Sequence, residues 1–204
     1  MTTTAGRKPY HHGDLRAALL AAAEAELIEK GVEKFTLRGV ARRAGVSHAA
    51  PAHHFKDTNA MLTALAAKGF ERFLASVQEG LSESQTPRER LATSGIGYIR
   101  FALQNPALFR LMFGSERPQS SDPDLVSAAT AAFRDLVMQI GAIRGDDPMQ
   151  SEEGMIDVAS AWANVHGLAT LLIDGRLTFL EPLLGASPDE TLRRLVERGS
   201  PPSA

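Results

Sequence analysis

Cysteine is absent from this chain of 204 residues. Its absence excludes a disulfide framework, a thiol nucleophile and any thiolate-ligated metal site, and it suits a reducing compartment. Aromatic residues are few, 6% of the total, with a single Trp and two Tyr. No run of eighteen apolar residues occurs, so no membrane span is expected. The first eight residues contain no apolar stretch, so no secretory signal is expected and the location is read as cytoplasmic. Alternating runs of Val, Ile and Thr are missing. No nucleophile elbow, phosphate loop or carboxylate pair beside a histidine is present, and the chain is not read as an enzyme.

What is present is helical. Hydrophobic residues make up 44% of the chain, mostly Ala and Leu at helical spacing, and the fold class expected is all-α. Residues 1–12 read as a flexible polar arm. Asp14 can cap a first helix with Leu15, Leu19, Ala22, Ala23 and Leu27 on one stripe, stopped by Gly31. Thr36 can cap a second, with Leu37, Val40, Ala41 and Ala44 inward and Gly45 as its stop. Ser47 can cap a short third helix reaching about Phe55. A long helix over 57–82 follows, with Met61, Leu62, Leu65, Phe70, Phe73 and Val77 as its apolar side. Further helices are expected over 87–104, 107–113, 124–144, 152–176 and from about 188 to just before Gly199, with 200–204 as a disordered tail. Pro51, early in the third helix, lacks an N–H, so its first turn should be tight or irregular.

Charge is divided unevenly. Residues 1–57 hold nine Lys/Arg against six Asp/Glu, and the remainder thirteen against eighteen. A basic head on an acidic body points mildly to nucleic acid. Residues 36–55 carry the stronger signal: a helix with small inward residues, a turn at Gly45, and a second short helix with an open outer face. That pattern suits a helix-turn-helix, with Ala41, Ala44 and Gly45 allowing close approach and Val46 plugging the space beneath the turn. An ordinary helical hairpin is the other reading of the same residues.

The run Leu37-Arg38-Gly39-Val40-Ala41-Arg42-Arg43-Ala44-Gly45-Val46-Ser47, with His53-His54-Phe55-Lys56-Asp57, resembles the DNA-binding head of tetracycline-repressor (TetR) regulators. Tyr10-His11-His12-Gly13-Asp14-Leu15-Arg16 is similar to the start of that head. Residues 98–113 and 162–169 resemble one regulatory-domain subfamily, which has a Trp and a His-Gly in its C-terminal part. The resemblance implies a three-helix DNA-binding domain over 1–57 and a helical effector-binding and dimerisation domain over 58–204. It implies a homodimer paired through helices 152–176 and 188–198. That dimer would repress a gene from a palindromic double-stranded operator until a small apolar effector releases it. By position, Thr36 would meet a phosphate; Ser47, His48, Ala49 and Ala50 would lie nearest the bases; His53, His54 and Lys56 would bind backbone phosphates, and Thr58 would offer a hydroxyl and a cap. Arg38 and the arm residues Arg7 and Lys8 would add charge contacts. Ala52 stands where many members carry an aromatic that touches a phosphate, and Thr58 where many carry Lys.

Trp162 and His166 lie four apart on one helix face, and the segment 98–113 is rich in rings and thioether. Phe101, Phe109, Met112, Phe133, Trp162 and His166 are therefore the expected effector wall, with plain core as the other reading. Sparse charge on these faces argues for an apolar effector. A stripe of Met155, Val158, Trp162, Val165, Ala169 and Leu172 runs beside one of Ala159, Ala163 and Gly167, so this helix should be covered on two sides. No metal or cofactor is expected: His48 and His53 are five apart, and His53 and His54 adjacent, neither spacing putting two imidazoles on one helical face. A helical ligand-binding or adaptor protein that does not read DNA sequence is the alternative function.

Overall fold

The computed structural model describes residues 12–199; the expected arm and tail lie outside them, except that His12 is already helical. No strand occurs among the described residues. The order is α1 (His12–Lys30), α2 (Leu37–Arg43), a short 3-10 turn (Ala50–His53), α3 (Thr58–Gln78), α4 (Pro87–Gln104), α5 (Pro106–Gly114), α6 (Pro123–Arg144), α7 (Glu152–Ile173), α8 (Glu181–Ala186) and α9 (Pro188–Arg198).

The head is α1, α2 and the 3-10 turn packed on the start of α3. Leu19, Ala23 and Leu27 are fully buried, and Gly31 at φ 70° ends α1. Because α1 starts at His12, Asp14 lies inside the helix and is not its cap. Thr36 does cap α2: its Oγ1 accepts from Gly39 N at 3.0 Å. Gly45 serves the turn through its φ of 66° and not through close approach, since a Cβ there would meet open space. Close approach falls instead to Gly39, where a Cβ would overlap the Glu26 carboxylate. Glu26 is only 2% exposed and accepts from Arg43 Nε at 2.6 Å. Removing one partner of such a pair strands a charge, so this bond fixes the angle of α2 on α1.

The body is built around α4. Thr86 and Glu89 form a reciprocal capping box with Pro87 in the first turn. Ten residues of α4 are buried between α3, α6, α7 and α9. Small residues make this possible. Ser76 Oγ donates to Gly97 O at 3.0 Å and Ser94 Oγ to Val77 O at 2.8 Å, so hydroxyls tie α3 to α4. A Cβ on Gly97 would land on the Ser76 carbonyl, and one on Gly95 would strike Val196 of α9. Asp57 caps α3 through Ala60 N, leaving Thr58 as its first residue and not a cap. The helix stops at Gln78, short of the expected Ser82, because Gly80 adopts φ 79°. Likewise Gly175 at φ 62° follows the end of α7 at Ile173. The stretch that contains α8 had no expected element.

Among the described residues α7 alone has the length and composition of a membrane-crossing helix. It packs on α4 and α6, and its first turn carries Glu152 and Glu153. Its outward side holds Ile156, Ala159, Ala163 and Leu171, all exposed in one chain. The apolar edge of α9, Leu192 and Val196, is spent on the body, so that helix turns Arg194, Glu197 and Arg198 outward.

Gly97→Ala is expected to force α3 and α4 apart. The cost should be that of overpacking, about 1–3 kcal/mol, read as a lowered urea midpoint with an unchanged slope. An unaltered midpoint would show that the contact is not tight.

Candidate nucleic-acid interface and regulatory cavity

The third helix of the head is not an α-helix. Ala50 N bonds to Ser47 O, Ala52 N to Ala49 O, and both His54 N and Phe55 N to Pro51 O, which gives a turn and a 3-10 segment. Ser47 is therefore not the cap: Ala49 precedes the 3-10 segment without a side-chain cap, and the Ser47 carbonyl only closes the turn before it. Pro51 has no N–H for an α-helical ladder, and its ring is buried on the head core beside Phe55. Arg16 lies over the Phe55 ring, 5.4 Å from its centroid. Val46 is half-buried under the turn, its N–H bonded to Ala41 O at 3.1 Å.

This anchoring leaves an exposed polar surface. Thr36, Arg38, Ser47, His48, Ala49, His53 and Lys56 are exposed; Ala50, His54 and Thr58 are half-buried. The Thr36 oxygen accepts from Gly39, which leaves its O–H to donate outward. Arg42, one turn along from Arg38, is exposed and pairs with no carboxylate among the described residues; the sequence reading passed it over. Arg43 is not available in the same way, because it is held by Glu26 and Glu29. Glu29 in turn is drawn down to about 2 by Lys30 first and Arg43 next. Arg7 and Lys8 lie outside the described residues.

In the body, α3, α4, α6 and α7 line a partly open cavity of about 220 Å³, with Val196 and Gly199 also on its wall. Phe133 and Trp162 line it, their rings 6.4 Å apart and 38% and 41% exposed. The other four expected wall residues are displaced from it. Phe101 is buried edge-on against Phe73. Met112 packs towards Gly69. Phe109 stacks on His166 at 5.4 Å between centroids, as core. His166 does not line the cavity but touches two residues that do: Tyr98, whose hydroxyl is 2.8 Å from its Nδ1, and Phe113, whose ring centroid is 5.4 Å away. Burial holds the His166 imidazole below its ordinary value and the Tyr98 phenol well above its own.

The sequence reading missed the polar part of the wall. Asp135 and Gln139 sit four apart on α6, 8% and 9% exposed, beside Ser94. Gln78 Nε2 donates to Asp135 Oδ1 at 2.8 Å, and Gln139 Nε2 to Asp135 Oδ2 at 2.6 Å and to Ser94 Oγ at 2.9 Å. Charge is sparse there, as expected, but one carboxylate, Asp135, lies on the wall. Two polar residues in register with the buried Ala132, at i, i+3 and i+7, were the available signal.

Head and body are joined by more than α3. Arg72 of α3 donates to Glu24 of α1 at 2.7 Å and to Asn105 Oδ1, at the α4–α5 break, at 2.5 Å.

The half-buried imidazole sets a pH dependence. Its folded value lies below the ordinary 6.5, so the unfolded chain takes up a proton that the folded chain resists. That stability is present above about pH 6.5 and is lost as the pH falls. Between about pH 7.5 and 5.5 the urea midpoint of the wild type should drop more than that of His166→Phe. Equal drops would remove His166 from the acid response.

The comparisons agree with this geometry. Residues 91–198 match the family model described as tetracyclin repressor-like, C-terminal domain. Residues 19–65 match bacterial regulatory proteins, tetR family. No protein of curated function matches the chain significantly. A solved structure from Rhodococcus sp. RHA1, described as a protein with unknown function, is 35% identical, covers 95% of this chain and 99% of its own, and superposes with a TM-score of 0.75. A TetR-like transcriptional regulator from the same organism is 13% identical over 94% of this chain and 98% of its own, TM-score 0.66. A TetR family transcription regulator from Marinobacter aquaeolei VT8 is 16% identical over 91% and 94%, TM-score 0.64. With both models matched in order, and the all-helical head and body found together, the chain belongs to the TetR family of DNA-binding transcription regulators, which are not enzymes.

Proposed function

We propose that this regulator is a ligand-responsive repressor acting in the cytoplasm. The head, residues 1–57, reads one half of a palindromic operator, and the body, 58–204, pairs two chains and binds a small molecule. The observation that carries the reading is the cavity wall itself. Phe70, Phe73 and Val77 of α3 line the cavity, while Met61, Leu62 and Leu65 of the same helix belong to the apolar core shared with the head. A ligand that displaces the first set moves the second, and Arg72 carries the same motion to Glu24.

One short recognition segment reads too few base pairs for specificity, so two heads related by a two-fold axis are needed. The outward stripe of α7, with Ala159, Ala163 and Gly167, lets a partner helix approach closely. Phe179 and Leu183, exposed between α7 and α9, extend that apolar surface. Pairing is thus assigned to α7 with the 178–198 stretch, in which α9 contributes charge. At the operator, Ser47, His48, Ala49 and Ala50 face the bases, while Thr36, Arg38, Arg42, His53, His54 and Lys56 hold phosphates; Thr58 steadies the start of α3.

Selection of duplexes from a random pool, followed by anisotropy titration at several salt concentrations, tests the reading. Lys56→Ala should weaken matched and mismatched duplexes alike and lower the salt slope by about one unit. His48→Ala should change which duplexes are preferred. Ala163→Arg should give a folded monomer in sedimentation that no longer distinguishes operator from random duplex. A wild-type chain that binds every duplex equally, or the Ala163→Arg monomer binding the operator undiminished, would overturn it.

A further inference from the structure

We propose that the body cavity takes a small amphipathic monocation, whose protonated nitrogen is held by Asp135 and whose apolar part lies among the rings of Phe70, Phe73, Phe133 and Trp162. The proposal rests on the effector reading above and names the chemical class of that effector. Among the described residues Asp135 is the one charged residue in the cavity wall. Its carboxylate is 8% exposed, and the groups that reach it are the side-chain amides of Gln78 and Gln139. Among the described residues no cation pairs with it. Buried carboxylates are normally paired, because an isolated charge is costly away from water.

Gln139 sharpens the demand. A carboxylate accepts and cannot donate, so the Gln139 amide must turn its nitrogen to Asp135. The Ser94 hydroxyl donates to Val77 O and takes the second Gln139 N–H. The Gln139 Oε1 is then left buried without a donor. Flipping the amide would set that oxygen against the carboxylate. The wall therefore offers one negative charge and one spare acceptor side by side, and among the described residues no basic side chain. An anion would be repelled, and a neutral hydrocarbon would leave the charge unanswered. An ammonium supplies both the charge and several donors, and aromatic faces attract it further. One carboxylate answers one positive charge. A volume of about 220 Å³ equals roughly seven waters at about 30 Å³ each, which gives room for a single ring with a short chain.

Three compounds of similar size and different charge test this: phenethylammonium, phenethyl alcohol and phenylacetate. Each is titrated into the full-length protein and followed by thermal shift and by the emission of Trp162, the one tryptophan, which lines the cavity. The ammonium should bind at least tenfold more tightly than the alcohol, and phenylacetate should not bind. Asp135→Asn, with helicity unchanged by circular dichroism, should reduce the ammonium to the affinity of the alcohol. Should that variant not fold, Gln139→Leu and the wild-type series still decide, since Gln139→Leu should weaken the ammonium more than the alcohol. Alcohol or acid binding as tightly as the ammonium, binding of none of the three, or an ammonium preference that survives Asp135→Asn would overturn the proposal. Release of DNA is measured separately with the same compounds. If the ammonium binds and DNA stays bound, the ligand class stands and the regulatory reading fails. If the alcohol or the acid releases DNA and the ammonium does not, the regulatory reading stands and the cation is wrong.

Discussion

The backbone of α3 lies directly on α4, and much of the molecule is arranged around that contact. Gly97 presents no side chain to the Ser76 carbonyl, and two serine hydroxyls, from Ser76 and Ser94, bond across the same seam. Close packing here does two things. It turns Phe73 towards Tyr98 and Phe113, giving a tight edge-to-face aromatic cluster. It also leaves α6 and α7 to roof the remaining space, because α4 is already occupied by α3 on one side and by α9 at Gly95 on another. The cavity is what remains where large rings meet small residues and cannot fill the gap.

The same helix that lines the cavity is the floor of the head. Contacts of α3 with α1 are reinforced by Arg72, which holds Glu24 and Asn105 together. These charges are partly exposed, so their net stabilisation is small. Their value is geometric: three elements, α1, α3 and the α4–α5 break, share one guanidinium. Within the head, the buried Glu26–Arg43 bond plays the corresponding role and sets how α2 presents Thr36, Arg38 and Arg42.

Much of the fold was legible in the chain. Stripes at helical spacing gave α1, α2, α3 and α7, and the glycines read as stops, 31 and 45, stand at positive φ. Two stops were not read: Gly80 and Gly175 end α3 and α7 before the expected Ser82 and Arg176. The 3-10 segment was half legible. Pro51 announced an irregular turn, but that its carbonyl would take both following amides depends on where Phe55 is buried. The candidate cavity was least legible. Ring-rich segments pointed to Phe101, Phe109 and Met112, yet aromatic content marks core as readily as a ligand wall. Which residues face the gap depends on how four helices cross, and spacing within one helix does not contain that information. The polar pair Asp135 and Gln139 on a buried face was the better guide, because burying polar groups is costly without a reason.

The composition of the head makes the geometry of pairing decisive. On the proposed reading, each head offers Arg38, Arg42 and Lys56, which pair with no carboxylate among the described residues, while Arg43 is already committed to Glu26 and Glu29. Ala52 and Thr58 supply neither the aromatic hydroxyl nor the lysine that would strengthen the hold. Each phosphate neutralised contributes about 0.9 to the salt slope, so one head alone binds weakly at physiological salt. Two heads on a rigid dimer bind as one ligand, and the second engagement is strong only if the spacing matches successive major grooves. A weak head is therefore well suited to control. A shift of α3 too small to unfold anything removes the match for both heads at once, and affinity falls from that of the pair towards that of the single head.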